Sequence, residues 1–406
     1  YTHPENFSSH ALQGANTIMF SIQTLDALSP AGLACLDKER FTLSNETATP
    51  HAILLRSTNI HQQTFADTLQ VIGRAGAGTN NIPVEQLTQR GIPVFNTPGA
   101  NANAVKELVL TGLLLASRNI CQAWNYVRQL SGDNNALNAS VEKNKKQFTG
   151  SELPGKTLGV IGLGNIGVGV ANAAHHLGMK VLGYDPSISV KNAWQLSSAV
   201  EQADQLSDVL QQADFITLHI PLVEETKHLL NSATINQLKP GAIVLNFSRE
   251  PIVEAHAMKE ALDKQTVRCY VSDFPNEHLH NHPNAITLPH LGASTTEAQE
   301  NCAIMIAEQV KCFLLDGEII HSVNFPSVML KRRQGHRISI TNNNVPNMVA
   351  QISSILSDSG LNIIDMINKS HNNLAYNLID LDQPIQPQQL QALQSIDGVL
   401  KTNNLN

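Results

Sequence analysis

The sequence predicts an α/β protein: two doubly wound parallel-sheet domains followed by a small βαββαβ unit. Three observations carry this reading. Short apolar runs alternate with longer mixed stretches from Thr17 to Leu288, the pattern of parallel strands joined by crossover helices. The alternation restarts at Lys156 with a glycine-rich turn, so there are two such domains. After Lys331-Arg332-Arg333 the order becomes strand, helix, strand, strand, helix, strand, the ferredoxin-like pattern.

The bulk properties fit. A chain of 406 residues can build two or three domains with separate cores. It is 42% apolar and 15% charged, as expected of a globular protein. A formal charge of −7 argues against a general nucleic-acid binder, which needs cations to neutralise phosphates. No apolar run approaches the roughly 20 residues that span a bilayer. The five cysteines are scattered without a C-x-x-C pair. Free thiols in a reducing, cytoplasmic setting are the simplest account. The histidines fall mostly singly and no H-E-x-x-H occurs, so no metal site is expected. Residues 1–16 are polar, with neither an apolar core nor basic character, and read as a tail or tag.

The elements follow in order. Ile18–Ile22, Ala52–Arg56 and Val71–Arg74 read as short buried strands. A helix closes over Leu87–Arg90 before the strand Gly91–Phe95. Ala102–Ser117 is a long apolar helix, and Ser131–Ser151 a polar loop or exposed helix. In the second domain Leu158–Ile161, Val181–Asp185, Phe215–His219, Ala242–Asn246, Val267–Val271 and Ile286–Leu288 give six strands, a full dinucleotide-binding set. Ser294–Asp316 is one long helix that returns to the first domain. In the last unit His336–Thr341, Asn362–Ser370, Ala375–Asp380 and Val399–Asn403 are strands, with helices over Val345–Asp358 and Pro387–Ser395.

The turn after the first strand of the second domain is Gly162-Leu163-Gly164-Asn165-Ile166-Gly167. In a Rossmann-like turn Gly162 permits the sharp bend, Gly164 lets backbone approach a pyrophosphate, and Gly167 lets the helix sit close to the sheet. The anion then lies at the helix N-terminus, where N–H groups and the dipole favour it. Asp185 ends the next strand, where a carboxylate accepts bonds from ribose hydroxyls and repels a 2′-phosphate. NAD is therefore expected over NADP.

Three polar residues follow later strands. Arg249 comes after Asn246-Phe247-Ser248, Glu277 after Phe274-Pro275-Asn276, and His290 between Pro289 and Leu291. An imidazole there can take a hydroxyl proton. A carboxylate beside it orients the ring and raises its pKa. The planar fork of Arg249 matches a carboxylate. The set suits oxidation of a 2-hydroxy acid. His278, His280 and His282 also lie near, so histidine alone does not single out His290. Arg56-Ser57 and Arg74 end strands of the first domain and suit a second anionic group, with Arg74-Ala75-Gly76-Ala77-Gly78 offering backbone N–H groups.

With these residues in place, the chain resembles the D-isomer-specific 2-hydroxyacid dehydrogenases from about Ile18 to the C-terminus. The resemblance rests on Arg74–Asn81, Phe95–Glu107, Ser272–Glu277 and Pro289–Thr295. It implies NAD-dependent oxidation of 3-phosphoglycerate, with Arg249, Glu277 and His290 as the catalytic set. It implies that Arg56, Ser57 and Asn101 meet the substrate phosphate, and that Ala77 and Gly78 hold the carboxylate. It places His219, Pro221, Asn246 and Asp273 around the cofactor, with Ser272 the alternative for Asp273. The last unit resembles an ACT domain, which implies L-serine as effector, with Asn344 and Asn362 at positions that bind it across a dimer and Asn342 where relatives often carry histidine, and a homo-oligomer. The implied division is 17–101 with 293–330 for substrate, 102–292 for NAD, and 335–406 for regulation.

The chain departs from the family at Glu250, where glycine is usual, and at Pro346-Asn347, where Pro-Gly is usual. Asparagine tolerates left-handed backbone, so that turn can survive. Two other readings remain: a hydroxypyruvate or glyoxylate reductase, and a non-catalytic NAD-sensing regulator on the same scaffold.

Overall fold

The computed structural model describes residues 18–332 and 335–405; the tail and Arg333 of the basic run fall outside them. The chain divides into two compact units, one formed by residues up to Pro98 with Glu300–Asn406, the other by Gly99–Gln299.

The first unit opens with five parallel strands: β1 (Phe20–Thr24), β2 (Phe41–Ser44), β3 (Ala52–Leu55), β4 (Val71–Arg74) and β5 (Val94–Phe95), in the order β2-β1-β3-β4-β5. Every residue of β3 is buried, which explains its uninterrupted Ala-Ile-Leu-Leu: both faces of a parallel sheet are covered. One cover is the helix Thr296–Asp316. A Cβ on Gly73 of β4 would lie 2.7 Å from Ile306 and 3.0 Å from Val310, so glycine sets that close approach.

The Gly99–Gln299 unit contains β6 (Thr157–Ile161), β7 (Lys180–Tyr184), β8 (Glu201–Gln202), β9 (Phe215–Leu218), β10 (Ala242–Asn246), β11 (Val267–Ser272) and β12 (Ala285–Thr287), all parallel. Their order is β12-β11-β10-β9-β6-β7-β8. The strand order reverses between β6 and β9, the switch point where such sheets open a ligand crevice. Helices Ala102–Arg118 and Asn165–His176 pack one face, through Val105, Val109, Leu113, Val168 and Ala171. Leu206–Gln212 and Ala255–Asp263 pack the other. The polar stretch expected as a loop or exposed helix forms the helix Asn134–Asn144, with no buried residue.

Within the first unit, β13 (His336–Asn343), β14 (Ile363–His371), β15 (Leu374–Leu381) and β16 (Val399–Asn404) form an antiparallel sheet in the order β14-β15-β13-β16. Helices Met348–Asp358 and Pro387–Gln394 bury Met348, Ile352, Leu356 and Leu393 against it. This βαββαβ module shares its unit with β1–β5. Tyr376 donates from its hydroxyl to Gly317 O at 2.8 Å, and Lys401 Nζ donates to Leu69 O.

Candidate active site

The glycine turn forms as its residues dictate. Gly162 has φ +91°, and a Cβ there would meet His219 O at 2.5 Å. At Gly167 a Cβ would run into Gly162 O. At Gly164, the N-cap of the helix Asn165–His176, nothing lies within 4 Å of that position, so the helix N-terminus is open there. Such a cradle suits an anion. Asn165 and Ile166 form the first turn of the same helix. Asp185 does more than end β7. Its Oδ2 accepts from Leu163 N at 2.8 Å and its Oδ1 from Ser187 N at 2.9 Å, so the carboxylate fixes the glycine turn itself.

His219 follows β9. Its Nε2 lies 2.9 Å from Thr217 Oγ1, and its buried Nδ1 has no partner within the protein. Burial pushes its pKa down to about 3, so the ring is neutral. An unsatisfied nitrogen beside the switch point is the place for a ligand hydrogen bond. Pro221 is exposed and its carbonyl accepts from Thr226 Oγ1 at 2.7 Å. Asn246 is fully buried and braces the Arg249 turn, donating to Arg249 O at 2.9 Å and accepting from Ser248 N at 3.1 Å.

Arg249, Glu277 and His290 follow β10, β11 and β12, three neighbouring strands, at their C-terminal ends. Arg249 is exposed and its NH1 donates to Ser248 O at 2.7 Å. His290 has φ +58°, a left-handed backbone that non-glycine residues rarely adopt. Asp273, at 2% exposure, holds that turn. Its carbonyl accepts from His290 N at 3.0 Å, and its carboxylate from Leu291 N at 2.6 Å and Gly292 N at 2.7 Å. Ser272 is also buried, with Oγ accepting from Phe274 N at 3.1 Å. The His290 ring packs edge-on against Phe274 at 5.0 Å. Glu277 does not meet it. Its exposed Oε1 lies 3.5 Å from His278 Nε2, and His278 stacks on His256 at 4.0 Å. Asn101 caps the helix Ala102–Arg118, accepting at its carbonyl from Val105 N at 3.1 Å.

In the other unit, Arg56 and Ser57 share a feature that sequence reading missed. Asp26 Oδ2 accepts from the backbone N–H groups of Arg56, Ser57 and Thr58 at 2.6, 3.0 and 3.2 Å. Burial works to raise the Asp26 pKa, but these bonds and the Thr58 hydroxyl outweigh it and leave it below the ordinary carboxylate value. Those N–H groups are thus occupied, and an anion here would meet side chains instead. Asp26 lies just after the first strand, Phe20–Thr24, and nothing else in the sequence marks it. The Arg74 guanidinium folds over Gly76, whose Cβ would lie 2.5 Å from NH1. Ala77 is exposed next to Gly78, and its carbonyl accepts from Asn96 Nδ2 at 2.6 Å.

In the βαββαβ module, Asn342 and Asn344 line a cavity of about 460 Å³ with Val345, Asn347 and Asn368. Asn342 is buried, donating to Asn343 O at 2.6 Å and accepting from Asn377 at 2.7 Å. Asn347 has φ +72°, the left-handed turn expected after Pro346. Asn362 is outside that cavity, its N–H bonded to Asp382 Oδ1 at 2.9 Å.

Comparison with known proteins identifies the family of the domain that carries the glycine turn. Residues 110–292 match the model of the D-isomer specific 2-hydroxyacid dehydrogenase, NAD binding domain. D-3-phosphoglycerate dehydrogenase of Haemophilus influenzae is 33% identical, over 94% of this chain and 94% of its own length. The protein of that name from Methanocaldococcus jannaschii is 39% identical over 65% of this chain, which spans about half, 49%, of the archaeal protein. The NAD+-bound 3-phosphoglycerate dehydrogenase structure from Entamoeba histolytica superposes with a TM-score of 0.60 at 24% identity, over 75% of this chain and 98% of that one, a likeness of fold. The cofactor of the matched domain is NAD, and the chain belongs to the D-isomer specific 2-hydroxyacid dehydrogenases.

Proposed function

We propose that the chain oxidises 3-phosphoglycerate to 3-phosphohydroxypyruvate, the entry to L-serine synthesis, and that residues 335–406 are an ACT domain taking L-serine. One observation carries the catalytic part. Arg249, Glu277 and His290 leave three adjacent strands on the sheet edge that also carries the glycine turn. His290 takes the hydroxyl proton. Arg249 clamps the carboxylate and polarises the forming carbonyl. Glu277, beside His278 here, is the partner assigned to the His290 imidazolium, and it must turn from His278 to His290 to stabilise that charge. NAD, when bound, would supply the acceptor for the hydride that leaves the hydroxyl-bearing carbon as His290 takes the hydroxyl proton. Asp185 selects it by favouring ribose hydroxyls over a 2′-phosphate.

The remaining assignments extend this reading. Residues 17–101 and 293–330 are the substrate-binding domain and 102–292 the NAD domain. The side chains of Arg56 and Arg74 supply positive charge for the phosphate. A homo-oligomer is supported by the helix Ile120–Arg128, which displays Ile120, Trp124 and Val127 to solvent.

The test follows NADH absorbance with phosphohydroxypyruvate, with and without L-serine. The expected result is NADH consumption suppressed by serine. Consumption of hydroxypyruvate or glyoxylate alone would replace the substrate. NADH binding without turnover would make the protein an NAD-sensing regulator.

A further inference from the structure

The Glu250 side chain stands next to the arginine assigned to the substrate carboxylate, a place where a second carboxylate would oppose binding. It is turned to another task. Its Oε1 accepts from Asn276 Nδ2 at 2.7 Å, the length of a strong bond to an ionised acceptor. Glu250 begins the 3-10 turn Glu250–Ile252 directly after Arg249, and Asn276 directly precedes Glu277. Asn276 also organises its own turn. Its Oδ1 accepts from His278 N at 2.9 Å, and its carbonyl from Leu279 N at 3.1 Å and His280 N at 2.9 Å. On the other side, Asn246 holds the Arg249 carbonyl to the end of β10 at 2.9 Å. The only side-chain hydrogen bond recorded between these two turns among the described residues is Glu250–Asn276.

We propose that Glu250 is a positioning residue: through Asn276 it locks the turn carrying Glu277 to the turn carrying Arg249. Both side chains are half-buried, and one oxygen of Glu250 and the amide nitrogen of Asn276 meet in this bond. A glycine at 250 would leave the Asn276 amide without this acceptor, and the side-chain link between the two turns would be lost. The inference rests on the catalytic assignment above, but the contact itself does not.

The test compares full-length wild type, Glu250→Ala, Glu250→Gln and Asn276→Ala. Steady-state rates with 3-phosphoglycerate and NAD are read beside amide hydrogen exchange of residues 276–280 in the absence of substrate. Glutamine keeps the accepting oxygen and drops the charge. The expected result is a roughly tenfold fall in kcat for Glu250→Ala and Asn276→Ala, because small displacements of catalytic groups are costly, with exchange at 276–280 about tenfold faster. Glu250→Gln should restore both to within about twofold of wild type. A lower KM for 3-phosphoglycerate in both Glu250 variants, with exchange unchanged, would show that Glu250 acts by charge and overturn the proposal. Unchanged kcat and exchange in Glu250→Ala would overturn it as well. If wild type itself does not turn over 3-phosphoglycerate, the substrate assignment falls, and the exchange of Glu250→Ala against Glu250→Gln still decides the lock.

Discussion

The guanidinium of Arg337 and the carboxylate of Asp380 form a two-pronged pair across β13 and β15, Nε to Oδ1 at 2.6 Å and NH2 to Oδ2 at 2.8 Å, with Arg337 fully buried and Asp380 2% exposed. Arg337 NH1 reaches on to Asp316 O at 3.2 Å, at the end of the helix Thr296–Asp316. Removing one partner strands the other charge in a dry place. Arg337→Ala should lower stability by about 3–5 kcal/mol in urea unfolding, whereas a matched apolar pair, Arg337→Met with Asp380→Leu, should cost far less. Equal losses for the single and double variants would count against this account.

The base assignment makes a sharper demand. His290→Ala should lower kcat by about 10²–10⁴, the usual worth of a positioned base. The glycine turn and Asp185 lie elsewhere on the sheet edge, so NADH affinity, read by fluorescence titration, should stay within a few-fold of wild type. Turnover at the wild-type rate would remove His290 from the mechanism.

Asp185 is bonded to the glycine turn and is also assigned to the ribose. Asp185→Asn should raise KM for NAD about tenfold or more, since bonds to ionised acceptors are worth roughly 1.5–3 kcal/mol. KM for NADP should rise less, because the repulsion of a 2′-phosphate is lost. A variant that keeps the wild-type preference for NAD would show that selection lies in other residues.

His219 ties stability to pH. Burial holds its pKa at about 3 in the folded chain, against about 6.5 when unfolded. The unfolded chain therefore binds the extra proton between those values, and stability falls as pH drops from about 6.5 towards 3. Between pH 6.5 and 5 this group alone should cost about 2 kcal/mol. His219→Gln should flatten that part of the profile in urea unfolding. An unchanged slope would place the titration on other groups.

Much of this was legible in the chain, for reasons that differ by element. β10 was readable residue for residue because Ala242-Ile243-Val244-Leu245 is an unbroken apolar run and the whole strand is buried. β2 escaped because Phe41-Thr42-Leu43-Ser44 is an edge strand with Thr42 and Leu43 exposed. β8 escaped because two exposed polar residues, Glu201 and Gln202, carry no periodic signal. At the site, strand-end positions predicted which groups share an edge. They could not predict side-chain direction, so neither the turn of Glu277 towards His278 nor the Glu250–Asn276 bond was foreseeable. The service of Asp26 to three distant N–H groups was hidden for the same reason: it links residues about thirty positions apart.

The interleaving of the two units bears on how the chain is made. Gly99–Gln299 is one uninterrupted stretch, while the unit containing β1–β5 is closed by Glu300–Asn406. Synthesis at about 5–20 residues per second delivers the NAD-binding stretch whole, and it can fold as it leaves the ribosome. β1–β5 must wait roughly 10–40 seconds for the helix that covers Gly73. During that interval strands meant for burial on both faces lack one cover. A segment made before the NAD-binding stretch is therefore completed after it, and chaperone dependence should concentrate there.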